Sequence, residues 1–354
     1  MRIDCEAHFW TDEFVAYMRD RTEAPRQEVI SDEKRRLYYD ASTPDLIVNH
    51  STFLETNLLD LDRRVDKMDE LGIDVMILSH SGPSVEQFAP ADGLAQAKAS
   101  NDRLAETIQR YPGRYVGLAT ISPGLPEESA EEIERCVTKL GFRGVNVMSH
   151  LESEDAPYLD DARYLPIFEA CERLGVPVNL HPTVPHSSMI KPYLGYGWAL
   201  PAPGLGFGHE TAVHAMRLIY SGLFDKFPDL QMMLGHFGEA LTFWFYRIDF
   251  DFIKPWLDPK HRPQIDRKPS DYLKQNFWFN SSGNFLNSAL FSCFLEVGMD
   301  RVMFASDYPW ETMEDAVEFM EKVPLGTDDR DKMEWRNAAR LFGLEVGAPE
   351  PAVA

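Results

Sequence analysis

The chain has 354 residues, of which 44% are hydrophobic, and it carries a formal net charge of −22 at pH 7. Such an acidic protein repels phosphate backbones and anionic membranes, so nucleic-acid and membrane-surface partners are excluded. No apolar run reaches the roughly 18 residues of a membrane-spanning helix, and the N-terminus lacks the apolar stretch of a signal peptide. We therefore expect a soluble, cytoplasmic protein. The four cysteines are far apart and form no CxxC pair, so we expect reduced thiols.

Short apolar runs typical of β-strands alternate with segments of helical periodicity along the chain. The predicted strands are 2–7, 73–79, 115–121, 142–148, 177–181, 230–235, 277–281 and 301–306. The predicted helical segments are 94–110, 127–140, 162–174, 209–226 and 238–250. Repeated strand–helix units of this number predict a single domain over 1–354 with the α/β fold of a (β/α)8, or TIM, barrel. The alternative is an open doubly wound sheet, although no GxGxxG motif follows the first strand to support it.

Two long segments without clear periodicity interrupt this alternation. Residues 22–56 follow the first strand and residues 182–208 follow the fifth, and we interpret both as long insertions in barrel loops. In a barrel of this kind, the loops that follow the strands surround the active site. The aromatic residues of the second segment include Tyr193, Tyr196, Trp198 and Phe207. They suit a pocket wall or a lid, and a subunit contact is the alternative interpretation.

Side chains that bind metals or transfer protons follow four of the predicted strands. They are Glu6 and His8 after strand one, His181 after strand five, His236 and Glu239 after strand six, and Asp307 after strand eight. Positions 6 and 8 are two apart in a strand and point to the same side. Each residue alone could be a hydrogen-bonded core residue or a helix cap, but together they fall at the end of the barrel where catalysis occurs. One Glu, two His and one Asp suit a divalent ion that keeps a coordination position free for water or substrate.

Short motifs at these strand ends give the chain a specific resemblance. The motif ExH follows strand one, HP follows strand five, GHxGE follows strand six and SDYPW follows strand eight. This pattern resembles the amidohydrolase superfamily. Within it, the chain is similar to the branch that contains aminocarboxymuconate-semialdehyde decarboxylase and the γ-resorcylate, 2,3-dihydroxybenzoate and 5-carboxyvanillate decarboxylases. Segment 207–249 is especially similar to 5-carboxyvanillate decarboxylase.

The resemblance implies a role for each candidate residue. The implied metal ligands are Glu6, His8, His181 and Asp307. The other implied roles are catalysis by Asp307 and His236, support of His236 by Glu239, and substrate binding by Arg247. Binuclear members of the superfamily bridge two metals with a lysine at the end of strand four, and the predicted fourth strand here has none. We therefore expect one divalent ion per chain, either zinc or manganese.

The function that the resemblance implies is that of a carboxy-lyase in aromatic compound catabolism. We expect a metal-dependent, non-oxidative decarboxylase of an ortho-hydroxylated aromatic carboxylic acid, working as a homo-oligomer, either a dimer or a tetramer. The alternative is a hydrolase or hydratase of the same superfamily that acts on a cyclic or unsaturated carboxylic acid, because the same ligands serve both reactions. His209 and Thr242 replace residues that are usual in the decarboxylases. The ring pattern of the small aromatic acid therefore stays open.

Overall fold

The computed structural model describes residues 1–39, 43, 46–151 and 155–345. In chain order its strands are β1 (Ile3–Phe9), β2 (Arg26–Ser31), β3 (Lys34–Tyr38), β4 (Ile47–Ser51), β5 (Val75–His80), β6 (Tyr115–Thr120), β7 (Gly144–Met148), β8 (Val178–His181), β9 (Met232–Leu234), β10 (Phe277–Asn280) and β11 (Val302–Met303). Its α-helices are α1 (Asp12–Asp20), α2 (Thr52–Leu59), α3 (Leu61–Leu71), α4 (Pro90–Arg110), α5 (Pro126–Lys139), α6 (Leu165–Leu174), α7 (Gly206–Tyr220), α8 (Leu223–Lys226), α9 (His236–Glu239), α10 (Phe245–Ile248), α11 (Phe250–Ile253), α12 (Pro269–Asn276), α13 (Asn287–Val297), α14 (Met313–Lys322), α15 (Thr327–Asp331) and α16 (Asn337–Leu341). Within these described ranges, no helix combines the length and the apolar character needed to cross a lipid bilayer.

An 8-stranded parallel sheet forms the centre of the protein, in the order β1-β5-β6-β7-β8-β9-β10-β11. Its two edges meet through a parallel bridge between Ala7 and Tyr308, and the N–H of Asp307 donates to the carbonyl oxygen of Glu6 at 2.9 Å. The sheet therefore curls into a nearly closed barrel surrounded by helices. This confirms the (β/α)8 prediction, and each predicted barrel strand is present with its ends shifted by three residues or fewer.

The barrel strands are buried on both faces, as parallel strands covered by helices must be. One face places Ile77 and Met233 in the barrel interior. The other face packs Leu78 and Met232 in the layer between the sheet and the helices. Leu341 of α16 joins the interior cluster together with residues from the N-terminal ends of the strands. The C-terminal ends of the strands lie outside this interior cluster, and the candidate functional site is at those ends.

Strand β1 contains a β-bulge that decides which of its residues face the barrel interior. Its register against β5 shifts between Asp4 and Ala7. Before the shift, Ile3 and Cys5 belong to the interior cluster, whereas Ala7 after the shift belongs to the layer beneath the helices. Strict alternation would put positions 3, 5 and 7 on the same face. The bulge therefore turns positions 6 and 8 toward the barrel interior.

The described residues of segment 22–56 contain regular structure, and residues 40–42, 44 and 45 lie outside the described residues. Strands β2, β3 and β4 pair antiparallel as a separate 3-stranded sheet, and α2 begins immediately after it. Strands β2 and β3 carry several charged residues, and most residues of the three strands are half-buried or exposed, so they lack the apolar runs that mark the barrel strands. Hydrophobic periodicity does not reveal this small sheet for that reason.

The helix predicted over 238–250 is also wrong as a continuous element. The structure divides this region into α9, a 3-10 turn over Leu241–Trp244, α10 and the start of α11. The backbone at Phe237, Gly238 and Ala240 has positive φ angles of 56°, 88° and 62°. A right-handed helix cannot continue through left-handed conformations, so the periodicity of the sequence is overridden by the local backbone.

Candidate metal centre and active site

Three metal-capable side chains converge at the C-terminal end of the barrel. Glu6 and His8 lie in the last part of β1, after the bulge, and His181 is the final residue of β8. One ligand atom from each of these residues lies within 4.8 Å of the others, and all three residues are buried. Asp307 follows β11, and its Oδ1 lies 2.9 Å from His8 Nε2. The structure thus brings together the four side chains that were predicted as metal ligands.

The hydrogen bonding of this group fits a divalent cation. His181 Nδ1 lies 2.9 Å from the carbonyl oxygen of Pro182, which can only accept, so Nδ1 carries the ring hydrogen. In the neutral ring Nε2 is then unprotonated, and it lies 3.1 Å from His8 Nε2. Glu6 Oε1 is buried 3.5 Å from His181 Nε2 and has no hydrogen-bond partner among the described residues. A cation bound between these atoms would satisfy both the ring nitrogens and the carboxylate oxygen.

Neighbouring residues fix the orientation of the ligand side chains. Asn280, the last residue of β10, donates from Nδ2 to Glu6 Oε2 at 2.7 Å, and Ser79 Oγ lies 3.0 Å from His8 Nδ1. Such contacts hold metal ligands in a defined orientation. The sequence had given neither Asn280 nor Ser79 a role. The signal that could have found them is their position at or next to the end of a barrel strand.

A histidine–carboxylate pair stands beside this group. His236 Nδ1 lies 2.7 Å from Glu239 Oε1, and His236 Nε2 lies 3.9 Å from Asp307 Oδ2. Among the described residues, every non-glycine residue with positive φ lies in 236–240 or is Asp307. Such conformations cost about 1–3 kcal/mol each and are retained where the surroundings enforce them. Backbone strain in this chain is therefore concentrated at the candidate site.

Burial and neighbouring charges shift the pKa values of three residues of the site. Burial alone would raise the pKa of Asp307, but the imidazoles of His236 and His8 hold that pKa below its usual range. Burial alone would lower the pKa of His236, but the carboxylates of Glu239 and Asp307 raise it well above the ordinary value. Burial lowers the pKa of His181 to about 3, and His8 adds to this effect. These directions favour a neutral imidazole at His181 and a protonated His236 beside an ionised Asp307.

A cavity of about 910 Å³ lies against these residues. His181, His236, Glu239 and Asp307 form one part of its lining. The aromatic and large apolar residues that line it are Tyr39, Trp198, Leu205, Phe207, Trp244, Leu286 and Trp310. Within segment 182–208, Trp198 and Phe207 thus form pocket wall, whereas Tyr193 and Tyr196 are not in the lining. Walls of this kind suit a flat aromatic ligand with a few polar groups.

Arg247 is not part of the cavity lining in this chain. Its side chain is exposed, and its guanidinium lies 4.9 Å from the centroid of the Phe250 ring. The His236–Glu239 pair is therefore assembled in this chain without Arg247. A contact between Arg247 and the substrate stays a prediction.

The fold and the site together define a (β/α)8 barrel whose described residues contain one His/Glu group able to hold a metal ion. The hydrogen-bonded pair of His236 and Glu239 stands next to that group. The sequence model of the family described as amidohydrolase matches residues 3–344. The chain therefore belongs to the amidohydrolase family.

Comparison with known proteins gives similar enzymes over nearly the whole chain. The γ-resorcylate decarboxylase of Polaromonas sp. is 42% identical over 296 residues, which cover 82% of this chain and 90% of that protein. A crystal structure of a dihydroxybenzoic acid decarboxylase from Polaromonas sp., with bound manganese and the inhibitor 2-nitroresorcinol, has a TM-score of 0.83 and 37% identity and covers 98% of both chains. The 5-carboxyvanillate decarboxylase of Sphingomonas paucimobilis has a TM-score of 0.83 and 32% identity and covers 97% of this chain and 98% of that chain. The resemblance predicted from the strand-end motifs is confirmed.

Proposed function

We propose that this protein is a metal-dependent, non-oxidative decarboxylase of an ortho-hydroxylated aromatic carboxylic acid. The observation that carries the proposal is the placement of the His236–Glu239 pair beside Asp307 and the metal-capable group, against a cavity with aromatic walls. The similarity to decarboxylases of hydroxylated benzoates supports it. Manganese is the proposed ion because the similar Polaromonas structure contains it. The residues that would hold it are Glu6, His8, His181 and Asp307.

The reaction must place a proton on the ring carbon that bears the carboxylate, and CO₂ then leaves as aromaticity is restored. A divalent ion at this group would supply positive charge to the carboxylate and hydroxyl oxygens of the substrate. His236 Nε2, 3.9 Å from Asp307 Oδ2, can pass its proton to the Asp307 carboxylate, and Glu239 holds the imidazole in the orientation that this transfer needs. Asp307, which lines the cavity, can then hand that proton to the ring carbon.

The test uses manganese-loaded protein and a panel of hydroxybenzoates in deuterated water. We expect CO₂ release and one deuterium on the carbon that held the carboxylate. A hydrolase or hydratase would leave that carboxylate attached. Retention of the carboxylate while a lactone, amide or enol substrate is consumed would overturn the proposal and favour the alternative reaction class.

We also propose that the chain forms a homo-oligomer, either a dimer or a tetramer. In segment 243–256 the side chains of Phe243, Tyr246 and Trp256 are 77%, 64% and 70% exposed, and the neighbouring Trp244 lines the cavity. Aromatic residues exposed together suit burial against another subunit. Light scattering after size-exclusion chromatography should give the mass of two or four chains. A monomer at micromolar concentration would contradict this part of the proposal.

A further inference from the structure

His209 lines the cavity but belongs neither to the metal-capable group nor to the His236–Glu239 pair. Its Nδ1 lies 3.1 Å from the hydroxyl oxygen of Tyr193, and the two rings meet edge to face. The phenol hydroxyl of Tyr193 can donate to Nδ1. In that arrangement the ring hydrogen of a neutral His209 is on Nε2. Among the described residues, Nε2 has no hydrogen-bond partner.

The start of helix α7 places His209 on the same wall as the proton-transferring pair. A Cβ atom on Gly208 would lie only 3.0 Å from Glu239 Oε2, so this turn of the helix packs directly against Glu239. His209 is the next residue of the helix and lines the same cavity. The His209 side chain therefore lines the cavity one residue along the helix from the contact with Glu239.

The rest of the described cavity lining offers a polar group on the substrate ring uncharged donors, such as the amide of Asn284 and the indole N–H groups of the lining tryptophans. The carboxylates of Glu239, Asp307 and Glu311 line it and would repel another hydrogen-bond acceptor. Within the described part of the chain, the lining contains no lysine or arginine. Outside the metal centre and its histidine pair, His209 is the remaining histidine of the described lining, and its imidazole can offer an N–H to the substrate. The volume of about 910 Å³ leaves room beyond a single ring, since it is near the upper end of ligand-sized pockets.

We propose that His209, oriented by Tyr193, determines substrate specificity by binding a hydroxyl or carboxylate that the aromatic acid carries in addition to its reacting carboxylate and ortho hydroxyl. The proposal rests on the proposed decarboxylase function and narrows its substrate class. His209 is a binding residue in this scheme, and Tyr193 is a positioning residue that acts through it.

The test compares 2-hydroxybenzoate with 2-hydroxybenzoates that carry one further hydroxyl or carboxylate at each ring position in turn. The proteins are the manganese-loaded wild type, His209→Phe, His209→Gln and Tyr193→Phe. The matched control is Tyr196→Phe, because Tyr196 is a tyrosine of the same segment that is 73% exposed and absent from the cavity lining. The measured quantity is the ratio of kcat/KM for each substituted acid to kcat/KM for the unsubstituted acid.

For the best substituted acid, His209→Phe should lower this ratio about tenfold, mainly through KM, because one hydrogen bond to the ligand is lost. His209→Gln keeps an N–H donor and should retain most of the ratio. Tyr193→Phe should lower it by a smaller factor, and Tyr196→Phe should leave it unchanged. The hydroxyl and carboxylate series decide which acceptor is bound. A His209→Phe protein with the wild-type ratio for every acid would overturn the proposal.

Binding measurements separate this proposal from the proposed reaction. Calorimetry on the same proteins uses analogues in which a nitro group replaces the reacting carboxylate, so no turnover is needed. If the wild type releases no CO₂ from any acid, the proposed function fails, and these affinities still decide the role of His209. A selective loss of about tenfold in the affinity of His209→Phe for substituted analogues supports that role. An equal change for all analogues, or no change, refutes it.

Discussion

Replacing Gly283 with alanine should slow catalysis without preventing folding. Gly283 has a φ of +56°, and a Cβ atom there would lie 3.1 Å from both Asp307 Oδ2 and His236 Cδ2. This is about 0.3 Å (3.4 − 3.1) inside the 3.4 Å at which ordinary contact begins. Asp307 or His236 must therefore move by a few tenths of an ångström. Because a 1 Å misplacement costs about 10²-fold in rate, a displacement of about 0.3 Å should lower kcat roughly fourfold.

Gly72→Ala is the matched control for this substitution. Gly72 also has a left-handed backbone, with φ +68°, but no heavy atom lies within 4 Å of the Cβ position. Both variants should lose about 1–2 kcal/mol in free energy of unfolding, because alanine is strained in this conformation. Only Gly283→Ala crowds the proton-transferring residues.

The assay for Gly283→Ala and Gly72→Ala combines urea denaturation with the initial rate of CO₂ release from an ortho-hydroxylated benzoate. Stability should change alike in the two variants, whereas kcat should fall in Gly283→Ala alone. Wild-type kcat in Gly283→Ala would refute the reasoning, and so would an equal loss of kcat in Gly72→Ala.

Three further predictions concern the metal, the proton-transferring residues and a buried acid. Elemental analysis should find about one divalent ion per chain, and complete chelation should abolish turnover; two ions per chain would contradict the four-ligand site. His236→Asn should keep its metal and lose about 10²-fold or more in turnover, because it removes a proton-transferring group. Asp307→Asn should lose both metal affinity and activity. Loss of the metal from His236→Asn would show that His236 is a metal ligand. Burial raises the pKa of Glu86 from 4.5 to about 7, so the folded chain holds a proton that the unfolded chain releases, and the free energy of unfolding should fall as pH rises through this range. Urea denaturation at several pH values should show a flatter dependence in Glu86→Gln, and an unchanged slope would count against the assignment.

The barrel could be predicted from sequence because its strands are continuous apolar runs. Strands buried on both faces leave such runs whatever their neighbours are. The sheet of β2, β3 and β4 leaves no such signal, since its residues alternate weakly and many are charged. The break in the helix at 236–240 cannot be predicted from the sequence either, because the left-handed backbone there includes residues other than glycine, which do not favour it locally. Sequence periodicity therefore predicts the elements that bury apolar surface and misses those shaped by the site.

The candidate site was predictable to the extent that its residues lie at or just after the C-terminal ends of barrel strands. Glu6, His181 and Asp307 carry this positional signal, and the structure brings them together. Their supporting contacts depend on register between strands that are distant in sequence, such as the bond from Asn280 to Glu6. No pattern within one strand reports that register. The same limit applies to His209, whose access to the cavity depends on how α7 packs against Glu239.

The extra residue in β1 lets one strand both fill the barrel interior and hold residues of the candidate site. With unbroken alternation, the β1 residues of the interior cluster and the β1 residues of the candidate site would have to occupy every second position of the same strand. The shift between Asp4 and Ala7 frees the two sets from each other. Deleting one residue there should turn the side chains of Glu6 and His8 away from the candidate site, while Ile3 stays in the interior cluster. We expect this deletion to abolish metal binding while the barrel strands stay paired.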